Sequence, residues 1–145
     1  MVVDVKMTVE LLQRTPLFSG LNKRQLEGVA KRFVERKFDA GETIVTQGRG
    51  GEGFFVVVSG RAEAIREHAD GEKTVLNPLE PGDFFGEMAL LSEGIRTASV
   101  VTTEPTTCLV LARWDFLSLM REDADMAVTI VQELAERFVR VLNTL

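Results

Sequence analysis

The sequence predicts an α+β protein, mainly β, in which one antiparallel barrel or sandwich is flanked by helices at both ends. Short runs rich in Val, Phe, Ile and Thr alternate with glycines at intervals of about ten residues, which is the spacing expected of antiparallel strands. Those glycines stand at positions 41, 48, 60, 71, 82 and 94. Near both ends the apolar residues return instead at helical spacing. With 145 residues, the chain has room for one domain with one core.

The elements follow in order along the chain. Helices are predicted over 8–14 and 22–33, with Asn22 as the N-cap of the second. Strands are then predicted over 34–38, 43–46, 53–58, 61–67, 73–78, 97–103 and 106–112. Asp70 and Gly71 form a predicted hairpin turn. A short helix over 114–120, opened by Trp114, and a longer one over 123–144 complete the order.

The charge balance argues against a polyanionic partner. The chain has 22 acidic and 17 basic residues, a net charge of −5, whereas affinity for nucleic acid depends on many Lys and Arg contacts to phosphates. The longest wholly apolar run, residues 54–58, is far too short to span a membrane, and the first ten residues lack the apolar core of a signal peptide. We therefore expect a cytoplasmic protein that by itself binds neither nucleic acid nor membrane.

Metal and thiol chemistry have few candidate residues. Cys108 is the only cysteine and His68 the only histidine, so we expect no disulfide framework, zinc cluster or Cys-His catalytic pair within one chain. Cys108 lies in an alternating strand and is predicted to be a buried core thiol, whereas His68 lies beside a turn and is predicted to be solvated. No residue pair offers a recognisable nucleophile with its base, so we expect a protein that is not an enzyme and has no cofactor.

The glycines at 48, 50 and 53 formally satisfy the pattern GxGxxG. That fingerprint binds dinucleotides only when it follows a strand and opens a helix. Here it leads into the apolar run FFVVVSG. We therefore interpret it as a hairpin loop.

The segment FGEMALLSEGIRTASV, residues 85–100, carries the strongest functional signal. Gly86 allows the backbone to approach a ligand closely, and the first amides of a helical turn over 87–91 can donate to an anion. Arg96 adds a planar, permanently charged fork that suits phosphate oxygens. A carboxylate, Glu87, fits beside a phosphate only if it accepts from another group on the ligand, such as a ribose hydroxyl. The segment therefore predicts a site for a small sugar phosphate.

The alternative is that Glu87 and Arg96 form a surface ion pair, worth about 0 to 1 kcal/mol and without function. Apolar neighbours argue for a semi-buried pocket instead. Those neighbours are Phe85, Ala89, Leu90 and Ala98.

At these residues the chain resembles the cyclic-nucleotide-binding domain family, whose phosphate-binding cassette reads Phe-Gly-Glu, a few aliphatic residues, a short turn, then Arg followed by Ala or Thr. Ile95 departs from the proline of many relatives but removes no ligand contact. Further matches extend from about Pro16 to Leu142: PLF at 16–18, AGETIVTQG at 40–48, FFVVVSG at 54–60, PGDFFGE at 81–87 and WDFLSLM at 114–120. The resemblance, to catabolite-activator-like and protein kinase A regulatory-subunit-like domains, implies an eight-stranded antiparallel β-roll that is jelly-roll-like. It would occupy 34–112 of a single domain over 1–145, between N-terminal helices at 8–33 and a C-terminal helix pair at 114–144.

The resemblance also implies a role for each residue of the cassette, 85–98. Arg96 would bind the cyclic phosphate and Glu87 the ribose 2′-hydroxyl. The amides of Met88, Ala89 and Thr97 would bind further phosphate oxygens, and Gly86 would permit the close approach. The sugar and base would be lined by Phe85, Val75, Leu76 and Asn77. Ala98 completes the predicted ligand-binding residues.

The last helix carries an apolar stripe at spacings of three and four: Met126, Ile130, Val131, Leu134, Phe138, Val141, Leu142 and Leu145. Packing explains Ile130 and Leu134. For Phe138, Val141 and Leu142 two interpretations stay open, namely packing or a mobile lid over the base that also forms a homodimer or partner-domain interface.

Two function classes follow. The first is a regulatory module that binds cyclic AMP or cyclic GMP and relays the signal through its C-terminal helix. The second is a structural or protein-interaction domain of the same fold that has lost its ligand. An intact Glu87 and Arg96 favour the first.

Overall fold

A computed structural model describes residues 4–50, 53–92 and 96–145 of the chain. Gly94 and Ile95 of the cassette lie outside the described residues. The chain divides into two compact units, a β-rich unit at Phe33–Arg113 and a helical unit made of Val2–Arg32 and Trp114–Leu145. The expectation of a single domain over 1–145 stays a prediction.

The described residues of the β-rich unit form eight antiparallel strands in two four-stranded sheets, which confirms the predicted fold class. The strands are β1 (Val34–Phe38), β2 (Thr43–Val45), β3 (Gly53–Ser59), β4 (Ala62–Glu67), β5 (Lys73–Leu79), β6 (Phe84–Phe85), β7 (Ser99–Thr102) and β8 (Thr106–Ala112). One sheet has the order β1-β8-β3-β6 and the other β2-β7-β4-β5. The strand-free segment after β6 is a 3-10 turn at Glu87–Leu90.

The inner faces of both sheets supply the core of this unit. Its buried members are Phe38, Phe55, Val57, Ala62, Leu79, Val100, Cys108 and Val110. Phe55 and Phe85 are register partners on β3 and β6, and their rings stack with centroids 4.9 Å apart. This contact attaches the cassette directly to the core, because Phe85 immediately precedes Gly86.

The predictions for Cys108 and His68 are confirmed. Cys108 is fully buried, and burial raises the pKa of its thiol to about 11, against the opposing charge of Arg36. A thiol that stays protonated at neutral pH is a poor nucleophile. His68 is exposed, with its Nε2 2.8 Å from Thr74 Oγ1 across the hairpin between β4 and β5.

The described residues of the helical unit form four helices and a 3-10 turn at Pro16–Phe18. The helices are α1 (Val5–Gln13), α2 (Lys23–Ala30), α3 (Arg113–Glu122) and α4 (Ala124–Asn143). Phe18 packs edge-on against Phe116 at 5.9 Å between ring centroids. Arg32 lies between Asp115 and Glu122, at 3.7 and 3.6 Å. None of these described helices combines the length and apolarity needed to cross a membrane.

Helix boundaries differ from the predictions where capping decides them. Asn22 caps α2 as predicted, in a capping box with Gln25. Helix α1 begins at Val5 rather than residue 8, because the Asp4 carboxylate accepts from the Met7 amide at 3.2 Å. Helix α2 ends at Ala30 rather than residue 33, where the Arg32 amide donates to Val29 O in a tightened last turn.

Candidate functional site

The β-rich unit contains a cavity of about 520 Å³, within the range of small-molecule sites. Four strands, the 3-10 turn and the start of β7 line it. The lining residues are Val45, Ala64, Leu76, Phe84, Phe85, Gly86, Glu87, Met88, Ala89, Ser92, Arg96, Thr97, Ala98 and Val100. Among these described residues Arg96 is the one cation and Glu87 the one anion, and most of the others are apolar.

Gly86 starts the 3-10 turn in a left-handed conformation, with φ of 82°. The first bond of the turn runs from the Ala89 amide to Gly86 O at 3.0 Å. The amides of Glu87 and Met88 precede that bond and therefore have no acceptor within the turn. The Ala89 amide, by contrast, would have to share its hydrogen between Gly86 O and a ligand.

Gly86 also permits close packing of the arginine. A Cβ built on Gly86 would lie 2.6 Å from Gly53 O and would touch Arg96 Nη1 more closely still. Arg96 Nη2 donates to the same Gly53 oxygen at 2.8 Å. The guanidinium is therefore held between the first residue of β3 and the cassette turn, where a side chain on Gly86 would displace it.

The backbone of Arg96 is anchored as well as its side chain. Its amide donates to Arg49 O at 2.9 Å, and its carbonyl accepts from the Gly48 amide at 2.9 Å. One residue further, Thr97 O accepts from Arg66 Nε at 3.3 Å. The cassette arginine thus lies on a braced segment, although Thr97 itself is exposed.

Burial distinguishes Glu87 and Arg96 from an ordinary surface ion pair. Both residues are half-buried, and Glu87 Oε2 and Arg96 Nε are buried atoms. The low value of about 0 to 1 kcal/mol applies to solvent-exposed ion pairs. These two side chains are partly withdrawn from water, so that interpretation does not describe them.

The structure gathers most of the predicted site residues around this one cavity. Phe85, Gly86, Glu87, Met88, Ala89, Arg96, Thr97, Ala98 and Leu76 all line it, whereas Val75 and Asn77 are not among the described lining residues. The register of β4 against β5 pairs Ile65 with Val75 and Ala64 with Asn77. Leu76 is the extra residue of a β-bulge between those two pairs. Successive strand residues point to opposite faces of a sheet. The roles of Val75 and Asn77 in ligand binding stay predictions.

Sequence reasoning missed five lining residues: Val45, Ala64, Phe84, Ser92 and Val100. Val100 pairs with Val45 on one side and with Ala64 on the other. These three therefore form a row across β2, β7 and β4. No signal in the sequence gave the pairing of the strands that brings these three residues together.

The predicted lid residues lie on α4, in the helical unit. Phe138, Val141 and Leu142 are 64%, 57% and 49% exposed, whereas Ile130 is buried. Burial of Ile130 confirms its packing role, and Leu134 is half-buried. The lid assignment stays a prediction.

No group of three or more His, Cys, Asp and Glu side chains among the described residues could hold a metal ion. The charged groups among the described lining residues are the Arg96 guanidinium and the Glu87 carboxylate. Such a set suits recognition of an anion with a hydroxylated, partly apolar body.

Comparisons with known proteins agree with this geometry. The chain is 37% identical over 126 residues to the cyclic AMP receptor protein of Thermus thermophilus. The matched residues cover 87% of the chain and 58% of that protein. The structure of the N-terminal domain of a transcriptional regulator from Streptomyces coelicolor superposes with a TM-score of 0.84, at 25% identity, covering 92% of the chain and 94% of that domain. The regulatory domain of Toxoplasma gondii PKA, crystallised with cAMP, superposes with a TM-score of 0.72 at 30% identity. This match covers 79% of the chain and 44% of that structure.

The chain spans about three fifths of the length of the curated relatives it matches. Residues 35–123, which include all the strands from β2 to β8 and the whole cassette, match the family model described as cyclic nucleotide-binding domain. The match covers more than half of the chain and coincides with the unit that contains the cavity. The chain therefore belongs to the cyclic nucleotide-binding domain family.

Proposed function

We propose that this chain binds a cyclic nucleotide, cyclic AMP or cyclic GMP, in the cavity around Arg96 and acts as a regulatory module. One observation carries the proposal: in a member of this family, Arg96, Glu87 and the Gly86 turn meet in one apolar cavity of about 520 Å³. The names of the relatives, a cyclic AMP receptor protein and a regulatory domain crystallised with cAMP, support it.

The chemistry of the ligand matches the groups in the cavity. The cyclic phosphate carries one negative charge, which Arg96 would neutralise with two parallel hydrogen bonds. The amides of Met88 and Thr97 would donate to further phosphate oxygens, with a shared bond from Ala89. Glu87 would accept from the ribose 2′-hydroxyl, and the base would lie on apolar residues such as Phe85 and Leu76.

Binding rather than catalysis follows from the same set of groups. A hydrolase needs a nucleophile or an activated water with a base beside it, and the charged groups among the described lining residues are those of Glu87 and Arg96. The output of such a module is a change in its contacts. We propose that the C-terminal helix α4 relays it to a second copy or a partner domain, since α4 exposes Phe138, Val141 and Leu142.

Isothermal titration calorimetry with cyclic AMP, cyclic GMP and 5′-AMP tests the proposal. We expect saturable binding of at least one cyclic nucleotide and much weaker binding of 5′-AMP, whose open phosphate has a different shape and charge. Absence of binding by both cyclic nucleotides would favour the second function class, a domain of this fold without a ligand.

Glu87→Gln tests the contact with the ribose. An amide oxygen still accepts from a hydroxyl but without the charge, so we expect a smaller loss of affinity than for removal of Arg96, about tenfold. A 2′-deoxy cyclic nucleotide should bind the parent protein weakly and lose little further affinity in the variant. Additive losses from the two changes would show that Glu87 does not contact that hydroxyl.

Thr97→Ala tests the choice of base. Guanine carries a 2-amino donor that adenine lacks, and a hydroxyl directly after the arginine can accept from it when the base lies syn above the phosphate. One neutral hydrogen bond is worth about 0.5 to 1.5 kcal/mol, so the preference shifts by roughly tenfold at most. We expect both nucleotides to bind the parent protein, cyclic AMP slightly better, and the variant to lose more affinity for cyclic GMP than for cyclic AMP. Equal losses would assign the hydroxyl to the phosphate or the backbone.

A further inference from the structure

Gln47 makes an unusual pair of hydrogen bonds for a surface side chain. Its Nε2 donates to Glu67 O at 2.8 Å, and its Oε1 accepts from the Glu67 amide at 2.7 Å. One side-chain amide thus occupies both backbone groups of one residue, as a neighbouring strand would. Glu67 is the last residue of β4. The pairing of β4 with its neighbour β7 stops at Ile65 and Ser99. The Gln47 side chain therefore pairs with the end of β4 beyond the last residue pair of β7.

The backbone beside Gln47 holds the cassette. The Gln47 amide donates to Ser99 Oγ at 2.8 Å. The next two residues make the two bonds to the main chain of Arg96, from the Gly48 amide to its carbonyl and from its amide to Arg49 O, each at 2.9 Å. Residues 47–49 thus lie between the end of β4 and the segment that carries the arginine.

We infer that Gln47 is a positioning residue for Arg96: its side-chain amide fixes the 47–49 segment to β4, and that segment in turn fixes the arginine backbone. The inference rests on the proposed function, because it assigns Gln47 a part in phosphate binding. Gln47 is not among the described residues that line the cavity, so any effect on affinity must pass through other residues. Bidentate binding tolerates little displacement of a guanidinium, which makes its backbone anchor relevant to affinity.

The residue type fits this role. Only a carboxamide supplies one donor and one acceptor side by side, as the N–H and C=O of Glu67 require. A glutamate at position 47 would keep the acceptor and lose the donor, placing a carboxylate against a carbonyl oxygen. An asparagine would keep both groups on a stem one methylene shorter.

Gln47→Met is the direct test, because it keeps the length of the side chain and removes both hydrogen bonds. His68→Ala is the matched control. It removes the bond to Thr74 in the same hairpin, next to Glu67, but touches neither the 47–49 segment nor the cassette. Both proteins are titrated with cyclic AMP and cyclic GMP, and the exchange rates of the Arg96 and Gly48 amides are measured by NMR without ligand.

We expect Gln47→Met to exchange the Arg96 and Gly48 amides about tenfold faster and to weaken nucleotide binding about fivefold. His68→Ala should change neither. In an Arg96→Lys background, whose point charge binds without bidentate geometry, Gln47→Met should cost less than in the parent protein. A merely structural role would cost the same in both backgrounds.

Parental exchange rates in Gln47→Met would overturn the inference. So would faster exchange with parental affinity, or an equal loss of affinity in His68→Ala. If the parent protein binds neither nucleotide, the proposed function fails, and with it the part of Gln47 in binding. The exchange rates then still decide whether Gln47 anchors the Arg96 backbone.

Discussion

Arg96→Leu is expected to weaken cyclic-nucleotide binding by about 30- to 4,000-fold. Removing one partner of a desolvated charge pair costs about 2 to 5 kcal/mol, and each 1.4 kcal/mol is tenfold in affinity. Arg96 is the one cation among the described residues that line the cavity, so no other lining side chain replaces its charge. Arg96→Lys should recover little, because an ammonium is a point charge and lacks the planar fork.

Calorimetry measures the loss, and thermal unfolding followed by circular dichroism checks that the variant is folded. Arg61→Leu is the matched control, since it removes the same charge from an exposed arginine that pairs with Glu80 at 2.6 Å and does not line the cavity. We expect Arg61→Leu to bind like the parent protein. Binding by Arg96→Leu at the level of Arg61→Leu would refute the assignment of the phosphate site.

Much of the β-rich unit could be predicted because its signals are local. Strand β1 runs from Val34 to Phe38 as predicted, and β3, β4, β5 and β8 lie within one residue of their predicted ends. Glycine, which favours the left-handed conformation of tight turns, marks the breaks between strands. The resemblance to an eight-stranded fold implied one strand more than the seven predicted by range, but it did not locate that strand. It is β6. It has two residues, Phe84 and Phe85, which is too short to show alternation.

The candidate site likewise has one part that could be predicted from the sequence and one part that could not. The cassette could be predicted because residues 85–92 and 96–98 are close in sequence and carry their own chemistry. Val45, Ala64 and Val100 come together only through the pairing of β2, β7 and β4. That register depends on contacts between residues that are distant in sequence, such as Val45 and Val100, 55 positions apart. The contribution of Gln47 was hidden for the same reason, because its partner Glu67 is 20 residues away.

Gly86→Ala should lower both stability and affinity, for two separable reasons. Gly86 has a φ of 82°, where a residue with a Cβ costs about 1 to 2 kcal/mol. The new Cβ would also lie 2.6 Å from Gly53 O and press on Arg96 Nη1. Forcing a methyl group into a packed site costs about 1 to 3 kcal/mol more, and here the side chain that must move is the one that would bind the phosphate.

Gly41→Ala separates the two reasons. Gly41 has the same φ, 82°, but a Cβ there would meet nothing within 4 Å. It should therefore show the backbone cost alone, about 1 to 2 kcal/mol in urea unfolding, with parental nucleotide affinity. Gly86→Ala should lose a further 1 to 3 kcal/mol or so of stability and at least about tenfold in affinity, since displacing the guanidinium forfeits bidentate contact. If the two alanine variants match in stability and in affinity, the close approach of Gly86 to Arg96 has no part in binding, because the methyl group would then have been accommodated without moving the arginine.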